Sequence, residues 1–138
     1  MAVQFFSRTL LNPVHFYGIG IHSGKKVSLS LLPSKIPGIV FRRTDQNGAS
    51  LIASPQSVQP SSRFTLLSNE ATIIQTPEHL LSACAGLGIT HLCVDIDQDE
   101  LPILDGSALS YVDMLQKAEI VPLSDPVSPL IIKTPLFV

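Results

Sequence analysis

Only two cysteines occur in the 138 residues, and Cys84 and Cys93 do not form a C-x-x-C pair. A cysteine-built zinc site is thereby disfavoured, and a chain of this length can bury a core without disulfide staples. In a cytosolic chain two such residues read as buried thiols, with a disulfide as the lesser alternative. Charge is scarce as well. Charged residues make up 14% of the sequence, the formal net charge is -2, and Lys and Arg are scattered. Scattered cations argue against nucleic acid as the main partner, because a phosphate backbone needs a basic stripe; a small anionic ligand held by two or three residues stays compatible. No apolar run approaches the roughly 20 residues that span a bilayer. Arg8 and Asn12-Pro13 arrive before any run of signal-peptide length. The expectation is therefore a soluble, cytoplasmic protein without a secretion signal or transmembrane segment.

What is present is a hydrophobic fraction of 45%, which marks a globular domain rather than a disordered chain. Lys26-Val27-Ser28-Leu29-Ser30-Leu31 alternates polar and apolar with period two, as a half-buried strand does, and Pro33 ends it. Residues 38–43 form a second strand before the turn signal Asp45-Gln46-Asn47-Gly48. A third strand covers 51–53, residues 54–62 read as loop, and 64–67 with 71–74 suggest a hairpin. From Thr76 the spacing changes: Leu80, Leu81, Cys84 and Leu87 recur with helical period until Gly86 and Gly88 stop the run. Residues 91–96 return to strand, a second helix runs from 107 or 108 to about 118, and 130–133 look like one further strand. The pattern predicts an α+β fold, mainly antiparallel sheet with two helices packed on one face. Pro122, Pro126 and Pro129 give residues 122–129 a linker composition. The expected organisation is thus a domain over 1–121, a linker over 122–129, and over 130–138 the first strand of a truncated second domain.

Thr76-Pro77-Glu78-His79 carries the most chemistry. Thr76 can cap a helix, Pro77 suits its first position, and Glu78 and His79 then fall in the first turn. Consecutive residues diverge by about 100 degrees on a helix, yet at its open end both can border one cleft. A neutral imidazole there can bind zinc, and a neighbouring carboxylate can take a proton from water. The plainer reading is a carboxylate stabilised by the helix dipole beside a surface histidine. His22 sits in Gly18-Ile19-Gly20-Ile21-His22-Ser23-Gly24, whose glycines miss the dinucleotide spacing and precede a strand rather than a helix. What remains is a glycine-permitted bend that presents a histidine, either a turn or part of a site. The run Asp95 to Asp99 resembles the start of a calcium loop, but Glu100 and Gly106 occupy the positions that need glycine and glutamate. It reads as a solvated strand end. Asp105-Gly106-Ser107 is a turn that offers a cap to the second helix. His91 and Cys93 share a strand face with no third ligand suggested, and His15 has no evident partner.

In order and spacing, residues 18–24, 38–43, Thr76-Pro77-Glu78-His79-Leu80-Leu81 and Leu101-Pro102-Ile103-Leu104-Asp105-Gly106-Ser107 resemble the N-terminal domain of the UDP-3-O-acyl-N-acetylglucosamine deacetylase family. These are zinc hydrolases of lipid A, hence lipopolysaccharide, biosynthesis in Gram-negative bacteria. The likeness runs from about Phe5 to Pro122. It implies that Glu78 is the general base activating a zinc-bound water, that His79 is a zinc ligand, and that His22 stands near the substrate. It implies UDP-3-O-acyl-N-acetylglucosamine as substrate and acetate as leaving group. It also implies one half of a two-domain α/β sandwich, in which the helices of both domains face one another. Iron would suit such a mixed site as well as zinc.

The departures matter as much as the likeness. Pro77 replaces the more usual valine, and 61–65 match a family segment only loosely. The family's other zinc ligands, a His and an Asp four residues apart on a helix of the missing C-terminal domain, have no counterpart here. Nor has the implied acid histidine, because no histidine follows His91. A catalytic zinc takes three protein ligands plus water. The chain alone is therefore expected to bind zinc weakly and not to deacetylate, and to expose an apolar helical face. The alternative is a non-catalytic binding or assembly module that retains the fold.

Overall fold

The computed structural model describes residues 5–128, 131–135 and 137. In chain order the elements are β1 (Phe5–Leu10), β2 (Val14–Ile19), β3 (Lys26–Pro33), β4 (Gly38–Arg43), β5 (Ala49–Ile52), β6 (Val58–Gln59), β7 (Leu66–Ser68), β8 (Ile73–Gln75), α1 (Glu78–Leu87), β9 (His91–Ile96), α2 (Leu109–Lys117) and β10 (Ile120–Val127). Five strands form the main sheet in the order β2-β3-β9-β4-β5. All its neighbours are antiparallel except β4 and β9, which pair in parallel from Gly38↔His91 to Arg43↔Ile96. A small sheet β6-β7-β8 and a ribbon of β1 with β10 complete the fold.

The alternation in β3 sends Val27, Leu29 and Leu31 into the core, where Val94 and Ile96 of β9 meet them. Leu80, Ala83 and Cys84 of α1 and Tyr111 and Leu115 of α2 belong to the same core. Each such aliphatic side chain contributes roughly 1.5–3 kcal/mol on burial. The α+β arrangement follows: a mainly antiparallel sheet whose apolar face shares its core with two helices. α1 ends in a left-handed Gly88, φ 67°, with Gly88 N–H donating to Ala85 O and Ile89 N–H to Cys84 O. That paired pattern satisfies the last carbonyls. Arg8 adds its guanidinium to Leu87 O at 2.8 Å, a cation at the negative end of the helix.

Arg43, at the end of β4, is 2% exposed and holds three elements together. It forms a two-pronged pair with Asp45 at 2.8 and 2.7 Å, reaches Asp99 at 2.8 Å, and donates to Ile73 O at 3.2 Å. The aspartates that begin in β9 and run past its end are each tied down. Asp95 takes Arg42, Asp97 accepts Ser28 N–H, and Asp99 takes Arg43.

Three expectations need correction. Residues 122–127, expected as linker, lie in β10 and pair with β1. A two-stranded ribbon consists of edges, where proline is tolerated, and the register slips between Phe6 and Arg8, opposite Pro126 and Pro122. Ser7 Oγ bridges that slip by donating to Asp125 O at 3.0 Å. Of the strand expected over 130–133, Leu130 lies outside the described residues and 131–133 carry no strand. Thr76 does not cap α1. Pro77 takes that place in helical conformation, its carbonyl accepting Leu81 N–H at 2.9 Å, while Thr76 sits at φ 56°.

Candidate active site

The site is built at the open end of α1. A left-handed φ is unusual for a β-branched residue, and Thr76 is held there from both sides. Its N–H donates to Thr65 O at 3.0 Å, and its hydroxyl lies 3.5 Å from Glu100 Oε1. Such strain, of order 1–3 kcal/mol, persists where the surroundings over-determine it. The sharp bend turns the chain from β8 into α1, so Glu78 and His79 stand on the first turn, both half-buried. Thr65 N–H donates to Glu78 Oε2 at 3.3 Å. Thr65 also lines an apolar cleft of about 450 Å³ with Ile39, Val58, Leu67 and Leu81.

His22 approaches the same place from the loop between β2 and β3. Its ring packs on Phe64, centroids 4.9 Å apart and planes tilted by 47°. Phe64 precedes Thr65, so the imidazole and the Glu78 carboxylate are linked through adjacent residues. The structure therefore brings His22 to the neighbourhood of Glu78 and His79. The residues with no assigned chemistry lie elsewhere: His15 Nδ1 meets Ser30 Oγ at 2.7 Å, and His91 Nδ1 meets Thr90 Oγ1 at 2.9 Å. Ser107 Oγ accepts Leu109 N–H at 3.0 Å at the start of α2, while Asp105 braces Ser107. Both serve the start of α2.

Two residues escaped the sequence reading. Phe64 gave no signal beyond one aromatic in a loosely matched segment. Glu100 looked like the tail of an acidic run, yet it is buried and its carboxylate accepts N–H groups of His22 and Ser23. Its only sequence cue was its place directly before the apolar Leu101-Pro102-Ile103.

His79 offers one imidazole on a half-exposed turn, but among the described residues no three of His, Cys, Asp and Glu converge. No helix among the described residues is long and apolar enough to cross a membrane.

Comparison with known proteins places the chain in a family. Residues 7–138 match the family model described as LpxC: UDP-3-O-acyl N-acetylglycosamine deacetylase. A UDP-3-O-acyl-N-acetylglucosamine deacetylase of Colwellia psychrerythraea is 45% identical over 132 residues, covering 94% of this chain and 43% of the relative. The protein of that name from Nautilia profundicola is 43% identical over 120 residues, covering 86% of this chain and 41% of the relative. One from Shewanella sp. (strain ANA-3) is 43% identical over 136 residues, 96% of this chain and 44% of the relative. The chain thus spans less than half the length of these curated relatives. With a family match that covers nearly all of it, the chain belongs to the UDP-3-O-acyl N-acetylglycosamine deacetylase family.

Proposed function

We propose that this chain supplies one half of a deacetylase active site, with Glu78 as the general base, His79 as one metal ligand and His22 beside the substrate. The observation that carries the reading is the joint placement of these residues. Glu78 and His79 share the first turn of α1, and the His22 bend packs onto Phe64, next to the residue that orients Glu78. Thr65 N–H engages Oε2, so Oε1 is the oxygen left to take a proton from the attacking water. Hydrolysis of the N-acetyl group of UDP-3-O-acyl-N-acetylglucosamine would then give acetate and the free amine, in the cytoplasm and as part of lipid A biosynthesis.

Zinc, or iron in its stead, would supply Lewis-acid polarisation at such a site. This chain's contribution to it is His79 alone, with the remaining ligands drawn from a second domain. On this reading the first domain, expected over 1–121, extends through β10 to Val127, and the incomplete ligand set is also what favours the alternative of a non-catalytic assembly module. The test is zinc stoichiometry and acetate release, measured on this chain alone and after addition of the remaining portion of the protein. Weak zinc and no turnover alone, with both restored on addition, is the expected result. Stoichiometric tight zinc and turnover by the chain alone would overturn the half-site, and no restoration would favour the non-catalytic module.

A further inference from the structure

Among the described residues Glu100 is the only buried Asp or Glu, with 1% of its surface exposed, and the chemistry above makes no use of it. A buried carboxylate is costly unless it is paired or fully hydrogen-bonded. Among the described residues no Lys or Arg pairs with it. Backbone answers it instead. Oε1 accepts His22 N–H at 2.9 Å and Oε2 accepts Ser23 N–H at 2.8 Å. The turn it fills is closed by Gly24 N–H donating to Gly20 O at 2.9 Å. A Cβ on Gly20 would run into Glu100 Oε2, so the fit requires glycine at that position. Consecutive N–H groups of a tight turn make an anion-binding concavity, and here the chain supplies its own anion.

The other end of Glu100 is fixed to the helix start. Gln75 N–H donates to Asp99 O at 2.7 Å and Leu101 N–H to Gln75 O at 3.0 Å, forming a parallel bridge between Gln75 and Glu100. Gln75 immediately precedes the strained Thr76, whose hydroxyl also faces Glu100 Oε1. One side chain therefore touches both approaches to the site. Burial by itself would raise the pKa of this carboxyl. The Ser23 side chain and the His22 and Ser23 N–H groups outweigh it and hold the group below the usual carboxylate range. Glu100 is thus an ionised acceptor at neutral pH.

We propose that Glu100 is a positioning residue of the site: its carboxylate sets the Gly20–Gly24 turn, and with it His22, against the helix start that carries Glu78 and His79. The use of this clamp in catalysis rests on the reading of His22 as a substrate neighbour, whereas the clamp itself does not. Both oxygens are needed. A glutamine has one acceptor oxygen, and its NH₂ would oppose whichever N–H the oxygen does not serve.

Two measurements separate the clamp from its use. In this chain, E100Q is expected to speed amide exchange of His22 or Ser23 roughly tenfold or more, while Leu29 and Val94 stay protected. E100D, which keeps the charge but falls short of the turn, should do the same and serves if E100Q fails to fold. Unchanged exchange at both residues overturns the proposal, as does exchange that rises uniformly across the sheet. In the complete deacetylase, E100Q should raise KM roughly tenfold with little change in kcat, and H22A combined with E100Q should be no worse than H22A alone. An additive double variant would overturn positioning through His22. An H22A enzyme with normal kinetics would instead remove the substrate role of His22 and leave the clamp standing on the exchange result.

Discussion

Thr65 N–H meets Glu78 Oε2 at 3.3 Å, so the carboxylate on the first turn of α1 is oriented by the segment leading into β7 rather than by its own helix. The bond is long and its loss would cost little stability. What it fixes is which oxygen is free.

Glu78→Gln should therefore separate activity from stability. Glutamine keeps the shape and an acceptor for Thr65 but has no basic oxygen. In the complete deacetylase acetate release should fall about 10²–10⁴-fold. The urea midpoint of this chain should move by less than the equivalent of about 0.5 kcal/mol. Activity within tenfold of the parent would contradict the general-base role.

Acid should weaken the fold through Arg43. The hydrogen-bonded Arg43 guanidinium holds the Asp45 carboxyl below its ordinary value. A depressed folded pKa contributes stability that is complete above the unfolded value, about 3.9, and is lost as pH falls through the lower folded value. The thermal midpoint should drop below about pH 4, and Arg43→Met should flatten that dependence. At neutral pH the same substitution, which leaves Asp45 and Asp99 to water and Ile73 O without its donor, is expected to cost about 1–2 kcal/mol by urea denaturation.

Two glycines should respond in opposite directions. Gly86 lies in α1 with open space around a would-be Cβ, so Gly86→Ala should stabilise by roughly 0.5–1 kcal/mol. At Gly18 a Cβ would collide with the rigid ring of Pro102, and Gly18→Ala should destabilise by roughly 1–3 kcal/mol. Paired denaturant curves check both signs.

Cys84 should be chemically silent. Burial pushes its thiol up to about 12, so almost no thiolate exists at pH 8. Iodoacetamide is expected to label it only as fast as the protein unfolds, while the half-buried Cys93 reacts sooner. Mapping the alkylated peptides over time would show the order.

Much of this was legible in the residues. Period-two patterning marked β3, because a strand with one buried face writes its alternation into the chain, and short apolar runs bounded by turn residues marked β4 and β9. The ordered motifs pointed to Glu78, His79 and His22, whose roles remain a proposal. Two features resisted reading for physical reasons. β10 carries Pro122 and Pro126 and too few buried side chains to alternate, so composition pointed to a linker although an edge ribbon accommodates both prolines. Glu100 was opaque because its partners are backbone N–H groups 77 and 78 residues away, and backbone leaves no trace in sequence. Thr76 satisfied every cue for a cap, yet tertiary contacts to Thr65 and Glu100 drew it into a left-handed bend instead.

The ribbon of β1 and β10 also sets a schedule. Ser7 and Asp125 are separated by 118 positions, so this pairing encloses nearly the whole described chain in one loop. Closing such a loop costs entropy before any contact in it repays the cost. The ribbon is expected to zip last, after hairpins such as β2–β3 have shortened the effective path. Pulse-labelled hydrogen exchange during refolding should then protect Leu29 before Leu10, and the opposite order would mean that the ends meet first.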